Sequence, residues 1–507
     1  MINVWDIVAV FTDVTTILMT LVLLLVIGYV ISMQERSGIP PGPPFWPVVG
    51  NMLDIRGKLV GKRHKYYAEL QEKYGDIFRI YFADQLLIVL NDFESIEEAF
   101  VKQRDLFSTR PVEKLWVVNQ AGKGGHGIIW ASGQEWKDAR RMSIHTLRDL
   151  GVGKSRLEEK IKEEIEIVLD SFTQSTGKPI NVHEILRKAS TNIICIVVFG
   201  ERYDYGDPAF IQILKVLDDG FTDMVLHTPV HRFPLLRFIP FISSKMVSVK
   251  TAYLKVVEII AQRIEKRRQV FDKNAIQDFL DVYLDMSAGG ESSTITESNT
   301  RRAISDLVFA ASDTTATTLD WAMLFMVLHP EVQKKCQEEI DSVVGDGRMV
   351  DWSDKSKLSY NEATLLEVQR LSSAVPMSAP HTTNKDTVVK GYLIPEGSLV
   401  YANLYACHRD SRYWKEPLEF KPERFLDISG KVSKQPAAFI PFSIGPRICA
   451  GKILARIELF LFFTNILQRR LKFSYCSMQV ASDNHPKRKK YTDINRKIPS
   501  IDMNKED

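Results

Sequence analysis

A chain of 507 residues with 45% hydrophobic and 25% charged residues is ordinary globular material, large enough for one extended catalytic domain or two or three smaller ones. Its formal net charge of +3 leaves no electrostatic footprint for nucleic acid, and the basic run Lys487 to Lys490 reads as a solvated tail. Five scattered cysteines, Cys195, Cys336, Cys407, Cys449 and Cys476, with no Cys-x-x-Cys pair, argue against a disulfide framework and a structural zinc site.

The first element is apolar. No charged residue occurs between Val14 and Gln34, and Ile17 to Ile31 is dense in Leu, Val and Ile. At helical rise this measures about 31 Å, against roughly 30 Å for a bilayer core. Residues 1–35 are therefore expected to form a single transmembrane signal anchor. A cleaved signal peptide is the alternative, opposed by Asp6 and Asp13 where a basic segment would stand and by the lack of a small-x-small cleavage site. Arg36, Lys58, Lys62, Arg63 and Lys65 follow the anchor, and the positive-inside bias then leaves the globular part in the cytosol. Ile39-Pro40-Pro41-Gly42-Pro43-Pro44 cannot continue a helix, so residues 36–50 are expected to be a stiff linker and 51–507 the globular domain.

Ile77 to Leu90 is rich in Ile, Phe, Tyr, Leu and Val and broken at Ala83-Asp84-Gln85, which predicts a β-hairpin. Helical periodicity follows, as in Leu157 to Phe172 and Tyr253 to Phe271. Between these helices, Phe233-Pro234-Leu235-Leu236-Arg237-Phe238-Ile239-Pro240-Phe241 is apolar but broken by proline, either a buried loop or a surface that dips into lipid. The polar stretch Ser287 to Thr300 reads as a loop. A helix then continues to His329-Pro330 and would exceed about 40 Å, long enough to cross the domain.

Inside that helix, Ala310-Ala311-Ser312-Asp313-Thr314-Thr315 places a carboxylate beside a hydroxyl among β-branched residues, a run that invites local opening of the helix. A buried acid beside an alcohol relays protons through water, although Asp-Thr in a helix is commonplace and mostly structural. Glu367 and Arg370 stand at i and i+3, where they pair on one helix. Val388 to Val400, around Gly391, Pro395 and Gly397, gives a second strand-turn signal.

The most telling stretch is Phe442-Ser443-Ile444-Gly445-Pro446-Arg447-Ile448-Cys449-Ala450-Gly451. Ile453, Leu454, Ile457, Phe460, Leu461 and Ile466 recur at helical intervals after it, so Cys449 sits just before a helix N-terminus. Unpaired amides there favour a thiolate, which is how sulfur is offered to iron. Gly445 and Gly451 let the backbone turn tightly against a flat cofactor, and Arg447 adds a permanent positive charge. A lone cysteine before a helix also reads as a small buried hydrophobe. Rival motifs fail on inspection: Gly153-Lys154-Ser155 has Arg148 where a phosphate loop needs its first glycine, and His183-Glu184 has Arg187 where a zincin needs its second histidine.

The spacing Phe-x-x-Gly-x-Arg-x-Cys-x-Gly resembles the haem-binding loop of the cytochrome P-450 monooxygenases, with all five fixed positions present. The likeness covers nearly the whole chain and extends to Ala406-Cys407-His408-Arg409-Asp410, as in animal microsomal members of the drug- and fatty-acid-oxidising group. It implies a mainly α fold with a small β-rich lobe, preceded by one N-terminal transmembrane helix. It also implies haem b with Cys449 as axial thiolate, a ligand that pushes electron density toward O–O cleavage.

Trp136 and Arg140 look like the family's Trp-x-x-x-Arg pair on a haem propionate, with Arg447 and His381 as further propionate partners. Asp313-Thr314 resembles the acid-alcohol pair, with Ala311 where the family has glycine, which puts in doubt only the width of the oxygen cleft. Glu367, Arg370 and Arg424 resemble the buried ion network behind the haem. By the same resemblance, Leu115, Ile128, Phe309, Ala310, Val375 and Met377 line the substrate site. From Gln479 the chain is dominated by Lys, Arg, Asp and Asn where the family has an apolar hairpin, so residues 479–507 form an atypical tail.

The expected function is insertion of one oxygen atom from O2 into a lipophilic small molecule, a fatty acid, steroid or xenobiotic, at the endoplasmic reticulum membrane. Electrons would come from NADPH through NADPH–cytochrome P-450 reductase, with cytochrome b5 as a second donor. A reductase-independent isomerase or dehydratase of lipid peroxides is one alternative, opposed by the presence of Asp313-Thr314. A catalytically silent haem or sterol binder is the other.

Overall fold

Helices carry most of the described chain, which in this computed structural model comprises residues 13–24, 26–27, 36–46, 48–55, 59–112, 126–149, 155–175, 180–223, 233, 235, 238–289 and 296–470. The anchor, the tail from Gln479 and Leu115 thus fall wholly or largely outside it. Residues 13–24 and 26–27 are helical and exposed, and among the described residues no helix is long and apolar enough to cross a membrane.

Helix α1 (Leu59–Tyr74) leads into β1 (Ile77–Phe82) and β2 (Gln85–Leu90). These form the expected hairpin, Ile77 opposite Leu90 and Phe82 opposite Gln85, with Ala83 at φ 54° in the turn. Both strands are nearly all apolar rather than alternating, interrupted by Arg79 in β1 and opened by Gln85 in β2, because both faces are covered. The helical body follows with α2 (Gly133–Asp149), α3 (Ser155–Gln174), α4 (Val182–Phe199), α5 (Pro208–Asp223), α6 (Pro240–Arg268) and α7 (Phe279–Gly289). Then come α8 (Glu297–Leu328), α9 (Pro330–Val343) and α10 (Ser359–Ser372). The remaining strands are β3 (His381–Thr382), β4 (Thr387–Val389), β5 (Tyr392–Ile394) and β6 (Leu399–Ala402), before the last long helix α11 (Lys452–Gln468).

The 32 residues of α8 span about 48 Å and pack on α4, α6, α10 and α11, so this helix is central as expected. Thr296 caps it, its hydroxyl accepting from the Asn299 N–H at 3.2 Å, and Pro330 stops its continuation. The loop expected over 287–300 is shorter: α7 persists through Gly289 and α8 begins at Glu297. The helix expected over Tyr253 to Phe271 starts earlier, at Pro240, and stops three residues sooner, at Arg268. The sequence Ser312 to Thr318 does not open α8. The Ser312, Thr314 and Thr318 hydroxyls donate to the carbonyls of Val308, Ala310 and Thr314 at 2.6, 2.9 and 2.9 Å, and the helix stays continuous.

A four-stranded sheet of order β1-β2-β6-β3 and a β4-β5 hairpin make the small β lobe. Strand β6 pairs parallel to β2, Leu399 with Leu87 and Ala402 with Leu90. The largest core cluster joins α3, α4, α8, α9 and α11, while a second lies beneath the sheet around Phe100, Trp414 and Phe425.

Candidate active site

The cysteine loop and the middle of α8 enclose a cavity of about 360 Å³, within the usual size range of small-molecule sites. On one side lie Phe442, Arg447, Cys449 and Gly451; on α8 lie Asp306, Leu307, Ala310, Ala311, Thr314, Thr315 and Thr318. The α8 residues recur every four positions and so form one stripe. Phe309 and Asp313, themselves four apart, belong to the neighbouring stripe. Phe309 packs against the helical core, and Asp313 stands 3.4 Å from His183 of α4. The acid and the alcohol are thus adjacent in sequence, but only Thr314 lines the cavity.

Cys449 precedes α11 by the expected three residues, with Gly451 at the N-cap. Its backbone N–H donates to the Phe442 carbonyl at 3.0 Å and that of Ile448 to Gly445 at 3.1 Å, which closes the loop under the sulfur. The two glycines do different things. At Gly445, with φ 76°, an added Cβ would stand 2.1 Å from the Phe100 carbonyl oxygen, so no side chain is tolerated. At Gly451 a Cβ would meet the Cys449 Sγ at 4.0 Å, ordinary contact, so glycine there leaves the sulfur's flank open rather than permitting a strained turn. Among the described cysteines Cys449 alone is exposed, and its exposure is into the cavity. Burial raises its thiol pKa, while the Gly451 amide, Arg140 and Lys452 lower it. The helix-terminus amides therefore act in the expected sense, but burial outweighs them until a metal cation adds its charge.

Three guanidiniums converge on the cavity. Arg447 lies 3.8 Å from the Trp136 ring and donates to Ser108 O at 2.7 Å, Ala131 O at 2.6 Å and Ile128 O at 3.2 Å. Arg140, one turn after Trp136 on α2, donates to Ile448 O at 2.5 Å. Arg110, which carries no local sequence signature, donates to Pro380 O at 2.6 Å and Ile129 O at 3.1 Å. Burial and mutual repulsion lower the pKa of Arg447, and burial followed by Arg140 lowers that of Arg110. No carboxylate acts on any of the three among the described residues. Among the described residues, the buried Trp136 Nε1–H has no hydrogen-bond partner. Three cations and an orphan donor around one cavity fit a group with anionic edges such as the propionates of haem.

His381 also borders the cavity. Its Nδ1 lies 2.7 Å from the Phe107 carbonyl, its ring stacks on Phe100 at 4.0 Å, and burial holds its pKa well below the ordinary value. It is thus a neutral donor at physiological pH. Of the substrate candidates, Ile128, Ala310 and Val375 line the cavity. Met377 does not: the bend at Val375-Pro376 turns it into the sheet core with Tyr67, Leu87 and Tyr401.

Behind the cysteine loop, Glu367 and Arg370 of α10 are fully buried and paired twice at 2.7 Å, and Arg424 Nε adds a third contact at 3.0 Å. Arg370 also donates to His408 O at 2.8 Å, and His408 Nε2 accepts the Ile440 N–H at 3.1 Å, two residues before Phe442. The network is thereby tied to the loop that carries Cys449.

Two acids of the cavity escaped sequence reasoning because only tertiary burial marks them. Asp306 accepts the N–H groups of Ile128 and Ile129 at 2.7 and 2.8 Å and pins the segment that Arg110 and Arg447 hold by its carbonyls. Burial raises its pKa to about 6. Glu458 on α11 has a buried Oε2 with no hydrogen-bond partner among the described residues, and burial pushes its carboxyl up to about 8. The folded form keeps a proton that the unfolded chain releases near 4.5, so stability present below that pH is lost as pH rises toward 8. Glu458→Gln, a neutral isostere, is expected to remove this loss. Between about pH 5 and about pH 8 its thermal midpoint should fall less than that of the parent protein.

The family model described as Cytochrome P450 matches residues 40–497. Cytochrome P450 2D3 of Rattus norvegicus is 36% identical over 440 residues, 85% of this chain and 87% of that protein. Cytochrome P450 2B19 of Mus musculus is 38% identical over 463 residues, 88% and 92% of the two chains. Cytochrome P450 2U1 of Bos taurus is 37% identical over 483 residues, 89% and 87%. Joined to a cavity where one accessible cysteine meets a cationic rim, these matches show that the chain belongs to the cytochrome P450 family of monooxygenases, which bind haem through a cysteine thiolate.

Proposed function

We propose that this enzyme inserts one oxygen atom of O2 into a lipophilic small molecule, with Cys449 as the haem ligand and electrons passed from NADPH by a reductase, with cytochrome b5 as a second donor. The observation that carries the reading is the shared cavity of Cys449 and Thr314, roofed by the apolar Ile128, Leu307, Ala310 and Val375. When bound there, haem supplies oxygen activation by an iron whose thiolate ligand favours O–O cleavage. The chain supplies the rest. Arg140, Arg447 and the Trp136 indole N–H would hold the propionates, with the Arg110 guanidinium beside them; His381, whose neutral ring donates its one N–H to the Phe107 carbonyl, would join them by taking a proton at Nε2 beside that anion. Thr314 presents a hydroxyl to the oxygen-binding side, and its donation to Ala310 O leaves its oxygen able to accept a proton. Asp313, just behind it, is the acid that renews the proton on this hydroxyl. Glu367, Arg370 and Arg424 keep the loop of Cys449 in place.

The apolar walls favour a substrate such as a fatty acid, steroid or xenobiotic. Residues 1–35 serve as a single transmembrane anchor and 36–50 as its linker, with the domain 51–507 on the cytosolic face of the endoplasmic reticulum. Leu235 and Phe238, 77% and 70% exposed, support a lipid-facing surface beside that anchor. The test is NADPH oxidation with a competent reductase over a broad lipophilic panel. Substrate-dependent turnover is expected, and silence across the panel would sink the reading. Thr314→Ala is expected to keep the spectrum of the reduced carbon monoxide complex while diverting most reducing equivalents to peroxide or water. Undiminished coupling to product would argue against the hydroxyl relay.

A further inference from the structure

The carboxylate of Asp313 meets a histidine from another helix. His183 Nε2 lies 3.4 Å from Asp313 Oδ1, and the Nδ1 of the same ring lies 3.8 Å from Asp320 Oδ2. Asp313 and Asp320 are seven residues apart on α8, close to two turns, so both face α4. The three side chains are 14%, 14% and 4% exposed, in the order His183, Asp313, Asp320. A carboxylate in a nearly dry interface needs a donor, and one imidazole placed between two acids serves both. His183 is also the second residue of α4, where the helix dipole disfavours a cation. A histidine there is a poor choice for capping or packing, and its position is explained by the two acids opposite.

Asp313 therefore meets His183, which touches solvent, and is the chain neighbour of Thr314, which lines the cavity. We propose that His183 is a positioning residue that orients Asp313 and restores to it each proton passed on toward Thr314. The inference rests on the monooxygenase reading above. In the step, the His183 Nε2–H bond breaks and an O–H bond forms at the Asp313 carboxylate Oδ1; that proton then passes to the Thr314 hydroxyl as Thr314 gives up its own to the cavity, and Asp313 returns to a carboxylate. His183 then takes a proton from solvent, and no electrons move. Asp320, on the other nitrogen, fixes the ring so that Nε2 faces Asp313. The 3.4 Å separation is a few tenths of an ångström beyond a hydrogen bond, a gap that catalytic contacts commonly close once substrate is bound.

The test uses the full-length holoenzyme with its reductase, NADPH and a fluorogenic benzyl ether of coumarin. His183→Gln and Asp320→Asn are expected to retain the reduced carbon monoxide band and to raise several-fold the share of NADPH electrons recovered as hydrogen peroxide. A solvent deuterium isotope effect on product formation is expected to grow with it. Asp313→Asn should give the same loss, and the His183→Gln/Asp313→Asn double variant no more. Independently of activity, thermal midpoints of the two single variants and the double variant are expected to be non-additive, since the pair is one contact. Unchanged peroxide release in His183→Gln, or losses that add in the double variant, overturns the proposal. Absence of the carbon monoxide band in the parent protein would instead overturn the haem-thiolate reading on which it rests.

Discussion

Cys449→Ser is expected to abolish the red-shifted Soret band of the reduced carbon monoxide complex, and with it all turnover. A serine hydroxyl cannot supply the soft, electron-rich anion that the iron needs at this position. Among the described cysteines the effect should be confined to this one. Cys195, Cys336 and Cys407 are buried, and burial pushes each of their thiols up, to about 12 for Cys195 and Cys336. Cys336→Ser should therefore leave the band in place. A band of full height in Cys449→Ser would refute Cys449 as ligand.

Arg370→Ala is expected to be the most damaging substitution outside the haem site. It leaves the fully buried Glu367 with only Arg424 as ionic partner among the described residues, frees the carbonyls of His408 and Pro417 of their donor, and leaves that of Glu419 to Arg424. Removal of one partner from a buried pair costs on the order of 3 to 5 kcal/mol, a large part of a domain's stability. The cavity left by the side chain under Trp414, 5.0 Å from the guanidinium, adds to it. The expected result is little folded, haem-bearing protein at growth temperature, measured as haem absorbance per unit protein. Arg370→Lys should rescue only in part, because a point charge cannot reproduce the paired contacts to Glu367. Normal yield of Arg370→Ala would show that the network is dispensable.

Much of this was legible in the chain because the signals are local. The hairpin around Ala83-Asp84, the length of α8, the helix after Cys449 and the Glu367/Arg370 pair all follow from residues within one or two turns of each other. What escaped depends on which face a segment buries. Phe309 and Asp313 sit one helical step from cavity residues, and the stripe spaced by four excludes them although the motif includes Asp313 and the family resemblance implies Phe309. Val375 and Met377 differ because the chain bends between them at Pro376. Arg110, Asp306, Glu458 and His183 have no motif at all; each acquires its role from a partner or a cavity supplied by a distant part of the chain.

Parallel pairing of β6 with β2 has a consequence for the order in which the protein can be made. Gln85 bonds the Gly397 carbonyl, and Leu87 pairs with Leu399, across 312 positions of sequence. At synthesis rates of about 5 to 20 residues per second, the hairpin leaves the ribosome some 15 to 60 s before the strand that covers its edge exists. During that interval β2 offers the bare backbone edge of an almost wholly apolar strand, a template for mispairing with other nascent chains. Yield in a cell is therefore expected to depend on what shields this edge in the first minute of the protein's life.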